Sequence, residues 1–226
     1  MTLLLLVSAA WADSWGGLRQ TAEILEPREF VVRLPTGRSA LGVGPSTEVF
    51  LTPFDMIVGG PRLGVEQAVG QWGPLSWSLA PSLAQKLSLR RTGLRLESFL
   101  SIEQGADRLS LVVAPDLNLM RRVTLSEEAS SAWSLDRTHL PVSLVYDHQW
   151  TDTIVRVAGK VGVIDEDRAF SHGTLSASWI QRLGRLHVEL GAGVLVGRPS
   201  EQTFLGTYER LLVTAYPRLD LWWQGG

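Results

Sequence analysis

A chain of 226 residues with 21 Lys and Arg against 23 Asp and Glu has no bulk field to draw in nucleic acid or an acidic substrate. The absence of cysteine excludes thiolate metal sites, thiol catalysis and disulfides together. A hydrophobic content of 45% suits one domain with an extensive buried or lipid-facing surface.

Taken in chain order, the opening MTLLLLVSAAWA carries an apolar run from Leu3 to Ala10 and then Ala10-Trp11-Ala12. That small-x-small pattern predicts a signal peptide over 1–12, cut before Asp13, with a single domain over 13–226. The run is shorter than the ~20 apolar residues of a spanning helix. No Lys or Arg precedes it, the first basic residue being Arg19, which departs from the usual signal pattern.

Beyond this segment the dominant signal is period two, which marks strands. It places strands at 28–34, 38–43, 47–54, 61–71, 75–84, 94–103, 108–119, 141–150, 153–163, 173–182, 185–197 and 210–223. The first two are short and could be one bent strand, so ten to twelve is the expected range. PLSWSLAPSLA sets Leu75, Trp77, Leu79 and Leu83 against Ser76, Ser78, Ala80, Ser82 and Ala84. TIVRVAGKVGV sets Val155, Val157, Val161 and Val163 against Arg156, Ala158, Lys160 and Gly162. LLVTAYPRLDLWW opposes Leu219, Leu221 and Trp223 to Tyr216, Arg218 and Asp220.

The connections follow a second pattern. Trp72-Gly73-Pro74, Thr151-Asp152 and Leu183-Gly184 read as tight hairpins, whereas 121–141, 164–172 and 198–209 read as long polar loops. Short and long connections alternate, as in a transmembrane barrel with short periplasmic turns and longer extracellular loops.

LHVELGAGVLVG, residues 186–197, looks at first like a glycine-rich dinucleotide loop. That fingerprint needs a helix after the glycines, inside a βαβ unit. Here Arg198-Pro199-Ser200 follows at once, so Gly191, Gly193 and Gly197 are read as residues of a strand.

Strand lengths near the 9–11 of a tilted membrane strand favour lipid over a soluble core on the apolar side. Trp72, Trp77, Tyr146, Trp150, Trp179, Tyr208, Trp222 and Trp223 lie near strand ends and are expected to form aromatic girdles at the headgroup level. The opposite face is expected to line a lumen. It carries Arg33, Arg62, Arg95, Arg156, Lys160, Arg182 and Arg218 together with Glu66, Glu97, Asp116, Asp147, Glu189 and Asp220. Mixed signs predict charges paired across a small lumen. The bland alternative is the solvated outer face of a soluble sandwich.

TAEILEPREFVVRLP, from Thr21 to Pro35, followed by STEVFLTPF, resembles the start of the first strands in Gram-negative outer-membrane β-barrel proteins. More narrowly, it resembles a loosely defined group of small barrels from delta-proteobacteria-like genomes. The resemblance implies residence in the cell outer membrane, contact with outer-membrane lipid, and handling by the barrel assembly machinery, which recognises a terminal aromatic residue. Here Trp222-Trp223 is followed by Gln224-Gly225-Gly226, which displaces that signal.

Catalytic patterns are thin. Ser171, His172 and Ser176 suggest a lipid hydrolase, but neighbouring strand residues point to opposite faces, so Ser171 and His172 are badly placed for a relay. The carboxylates of IDEDR read as an exposed loop, and no H-x-x-x-H metal spacing occurs. The sequence thus predicts an all-β, antiparallel up-and-down transmembrane β-barrel. It would be non-enzymatic, with no cofactor, metal or nucleic-acid partner, and would act as a narrow channel or in a structural or surface-binding role toward an unknown solute or ligand. The alternatives are a barrel enzyme acting on lipid and a soluble periplasmic sandwich or lipocalin-like binder.

Overall fold

Alternating side chains with tight turns between them make neighbouring strands hydrogen-bond in antiparallel pairs, and the computed structural model shows where this pairing leads. It describes residues 24–34, 38–52, 61–86, 91–123, 131–164, 169–197 and 212–225. Thirteen strand segments follow one another: β1 (Phe30–Leu34), β2 (Ser39–Gly44), β3 (Thr47–Thr52), β4 (Arg62–Trp72), β5 (Leu75–Lys86), β6 (Arg91–Gln104), β7 (Asp107–Val113), β8 (Asp116–Val123), β9 (Ser131–Trp150), β10 (Thr153–Ile164), β11 (Ala169–Leu183), β12 (Leu186–Gly197) and β13 (Leu212–Gly225). Both β7 and β8 lie between β6 and β9. They are one stave interrupted at Ala114-Pro115, so thirteen segments make twelve staves. β1 pairs with β13 through Phe30↔Gly225 to Leu34↔Leu221, which closes the sheet into a barrel.

The two short strands at the start do not merge, because β1 and β2 pair antiparallel at Phe30↔Leu41 and Val31↔Ala40. Two expected loops are largely strand. β9 begins at Ser131 and pairs with β8 from Asp116↔His139 to Val123↔Ser131, and β10 and β11 continue to Ile164↔Ala169. Backbone pairing carries these extensions, and polar composition does not prevent it. The loop expected at 198–209, Tyr208 and the signal peptide at 1–12 lie outside the described residues.

The short turns gather at one end of the barrel, with Gly73, Gly105 and Gly184 at φ of 59, 63 and 66°. These are left-handed values that glycine adopts without a Cβ clash. Gly225 and Phe30 lie at the same end, so the described chain enters and leaves the barrel there. The outer wall is apolar: Leu63, Leu83, Leu96, Leu144, Val161, Leu175, Leu190 and Leu219 are all exposed. The inner wall is polar, with Arg33, Glu48, Glu66, Glu189 and Asp220 buried. This is the reverse of a soluble protein, in which large apolar patches are covered.

Candidate functional site: the barrel interior

Alternation sends every second side chain inward, and the registers decide which of these meet. Glu48 of β3 stands opposite Glu66 of β4, an arrangement of like charges that is unfavourable on its own. Arg38, just before β2, joins them: Nη2 donates to Glu48 Oε1 at 2.9 Å and to Glu66 Oε2 at 2.5 Å. Its guanidinium lies 3.5 Å over the Phe50 ring. Ser78 Oγ donates to Glu66 Oε1 at 2.5 Å.

The same device recurs across the seam. Glu189 of β12 stands opposite Asp220 of β13. Arg33 of β1 donates through Nη2 to Glu189 at 2.8 Å and to Asp220 at 2.5 Å, while Arg218 Nε lies 3.1 Å from both carboxylates. Ser178 Oγ donates to Glu189 Oε1 at 2.7 Å. Elsewhere on the wall, Arg156 grips Asp147 in two bonds of 2.7 and 3.0 Å, and Arg108 adds another at 3.0 Å. Arg95 holds Asp116 at 2.6 Å. Arg62 lies 3.8 Å from the same carboxylate, and Glu97 lies 4.0 Å from Arg95.

Of the charges expected in the lumen, Arg33, Arg62, Glu66, Arg95, Asp116, Asp147, Arg156, Lys160, Glu189 and Asp220 are buried, with Glu97 and Arg218 half-buried on the same face. Arg182 is placed differently: it is exposed at the short-turn mouth, beside Gly184 and Arg185. Arg38, Glu48 and Arg108 are additions the sequence reading missed. Period two across TEVFLT puts Glu48 on the face opposite Val49 and Leu51, but Phe50 beside it obscured the pattern.

The aromatic residues divide by face. Trp72, Tyr146, Trp150, Trp179 and Trp223 are exposed on the outer wall, and Trp77, half-buried there, donates its indole N–H to Ser98 Oγ at 2.9 Å. With Phe30, they all lie toward the short-turn end. Trp222 contradicts the girdle expectation. It neighbours the outward Trp223, so the pleat turns it inward, where it is 6% exposed and stacked on His187 at 5.0 Å.

Two apolar clusters also sit inside. Phe50, Ala80, Phe99 and Val112 form one, and Leu25, Val31, Ile180 and Trp222 the other. Phe50 lies over Gly64 and Tyr216 over Gly193, where a Cβ would collide with each ring, so inward glycines make room for aromatic side chains. Leu25 precedes the first strand. Residues 24–29 therefore form a strap folded into the mouth: Leu25 N donates to Glu48 Oε2 at 3.0 Å, Arg28 N donates to the Gly42 carbonyl at 2.9 Å, and Gly42 N donates to the Glu29 carbonyl at 2.8 Å. Gln224 also bonds Glu29. A Cβ at Gly42 would strike the Glu26 carbonyl, so the strap needs glycine beneath it. A mouth cavity of about 340 Å³ remains between Glu26, Glu29, Arg182, Arg185, His187 and Gln224.

The residues of the suggested serine–histidine pair, Ser171 and His172, have side chains outside the described set. The glycines of 186–197 all lie within strand β12. No protein-family model matches the chain, and no curated protein matches it. Among solved structures it is similar to an anion-selective porin from Comamonas acidovorans, at 12% identity and a TM-score of 0.44. The likeness covers 83% of this chain and 56% of the porin chain, so this chain spans little more than half of that porin's length.

Proposed function

We propose that this chain is a non-enzymatic outer-membrane β-barrel that acts as a narrow, charge-lined channel, constricted at its short-turn mouth by residues 24–29. The observation that carries the reading is the inverted wall of a closed barrel, apolar outside and ion-paired inside. A closed barrel satisfies every backbone donor and acceptor without water, which is the condition for crossing lipid with strands. The short turns gathered at one end support a periplasmic placement of that end, and the aromatic residues near them suit one of the two interfacial girdles. In the same reading the chain is exported, contacts outer-membrane lipid and is inserted by the barrel assembly machinery, with Trp223 as the outward aromatic near the carboxy-terminal end.

A narrow conduit is favoured over a wide one by what fills the interior. Barrels of 16–18 strands leave open aqueous channels and those of about eight are filled by side chains; twelve staves stand between. Here Trp222, Phe50, Phe99 and the strap occupy that intermediate space. Reconstitution in a planar bilayer tests the proposal. The expected result is a small conductance that rises when Leu25→Asp expels the strap, with no hydrolysis of the surrounding phospholipid. Large, stable openings from the unmodified chain would contradict the constriction, and phospholipid hydrolysis would favour the enzyme alternative.

A further inference from the structure

One group on the outer wall is left unexplained by the interior network. Asp107, at the start of β7, stands across from His148 of β9, His148 across from Val155 of β10, and Val155 across from Trp179 of β11. These four residues make one row around the outside, close to the short turns. Tyr146 and Trp150 flank His148 along β9. Tyr146 donates its hydroxyl to Asp107 Oδ1 at 2.6 Å, and His148 Nδ1 is 2.7 Å from the same oxygen. His148 meets the Trp150 ring edge-on at 4.6 Å, and Trp150 lies 6.5 Å from Trp179. Among the described residues Asp107 Oδ2 has no partner, and the side chain is 51% exposed.

A carboxylate at the edge of an apolar belt is costly unless something offsets its charge. Tyr146 and His148 hold one oxygen and fix the group in place, and on the same outer wall the Trp150 ring meets His148 edge-on with Trp179 beyond it. A charged acceptor next to aromatic faces is the arrangement that takes an ammonium group. We propose that Asp107, Tyr146, His148, Trp150 and Trp179 form a binding site for the headgroup of a phospholipid bearing a primary ammonium. The ammonium donates an N–H to Asp107 Oδ2 and packs against the aromatic rings, and the first part of an acyl chain runs along Val155 and Val157. A quaternary ammonium has no N–H to give and binds less well. The site rests on the membrane-spanning reading above.

The test uses the full chain reconstituted in vesicles of equal phosphatidylethanolamine, phosphatidylcholine and phosphatidylglycerol. Floated protein is re-isolated in mild detergent and its retained lipid measured by native mass spectrometry. Phosphatidylethanolamine should be enriched about fivefold over the other two. Asp107→Asn should abolish the enrichment, Trp150→Leu should reduce it, and Asp152→Asn, in the neighbouring turn, should leave it unchanged. Floated protein that shows no enrichment, or an enrichment that survives Asp107→Asn, overturns the site alone. Protein that fails to float overturns the membrane reading and the site with it.

Discussion

Arg38 shows how the interior is held together. Its guanidinium is the link between Glu48 and Glu66, both of which are fully buried. Replacing it with Met removes the guanidinium that bridges these two buried carboxylates, and breaking a buried pair in this way costs about 3–5 kcal/mol. Urea unfolding from detergent micelles or vesicles should show Arg38→Met destabilised by that order, whereas Lys, which keeps the charge but not the fork, should lose less. An unchanged midpoint for Arg38→Met would mean that the carboxylates do not depend on it. Trp222 is the complementary case. It packs with Leu25, Val31 and Ile180, and Trp222→Ala should cost about 3–5 kcal/mol by emptying that space. The adjacent Trp223→Ala, on the outer wall, should leave the interior intact and cost less in the same measurement.

At the scale of the element, β10 gives the clearest contrast between faces. Val157 is exposed on the outer wall while Arg156 and Lys160 are buried on the inner one. Val157→Arg should cost about 2–4 kcal/mol near the bilayer midplane, and Ala158→Ser, on the inner face, should cost little. Equal losses for the two in folding yield into vesicles would remove this register. Such faces were legible in the sequence because alternation is a local property. The stave boundaries of β4, β5, β10 and β12 were legible too, because tight turns punctuate them. Other features depend on distant parts of the chain. Arg33 reaches Glu189 over 156 residues of sequence, a pairing set by closure of β1 on β13. The strand at Ser131–Trp150 gains its first half from pairing with β8, so its polar composition reads as loop. Trp222 lies near a strand end, where a girdle residue is expected, but the parity of the pleat turns it inward and leaves Trp223 outside.

For the whole molecule, the folded wall reverses the usual distribution of polarity, and this accounts for the rest of the structure. A barrel with Leu63, Leu144, Leu175 and Leu219 outside has an outer surface suited to hydrocarbon. Its interior must then satisfy the buried charges, which it does through arginines bridging paired carboxylates. The strap at 24–29 folds into the mouth from within the same chain, held by a few hydrogen bonds and one leucine, and in the proposed channel it is the segment any solute would have to pass. The most direct test of this account is migration on a detergent gel, with and without boiling, after incorporation into vesicles and alkaline extraction. The expected result is a chain that stays with the vesicles and runs as a compact species until it is boiled. A chain that is released by the extraction and migrates identically in both lanes would contradict the membrane-spanning barrel.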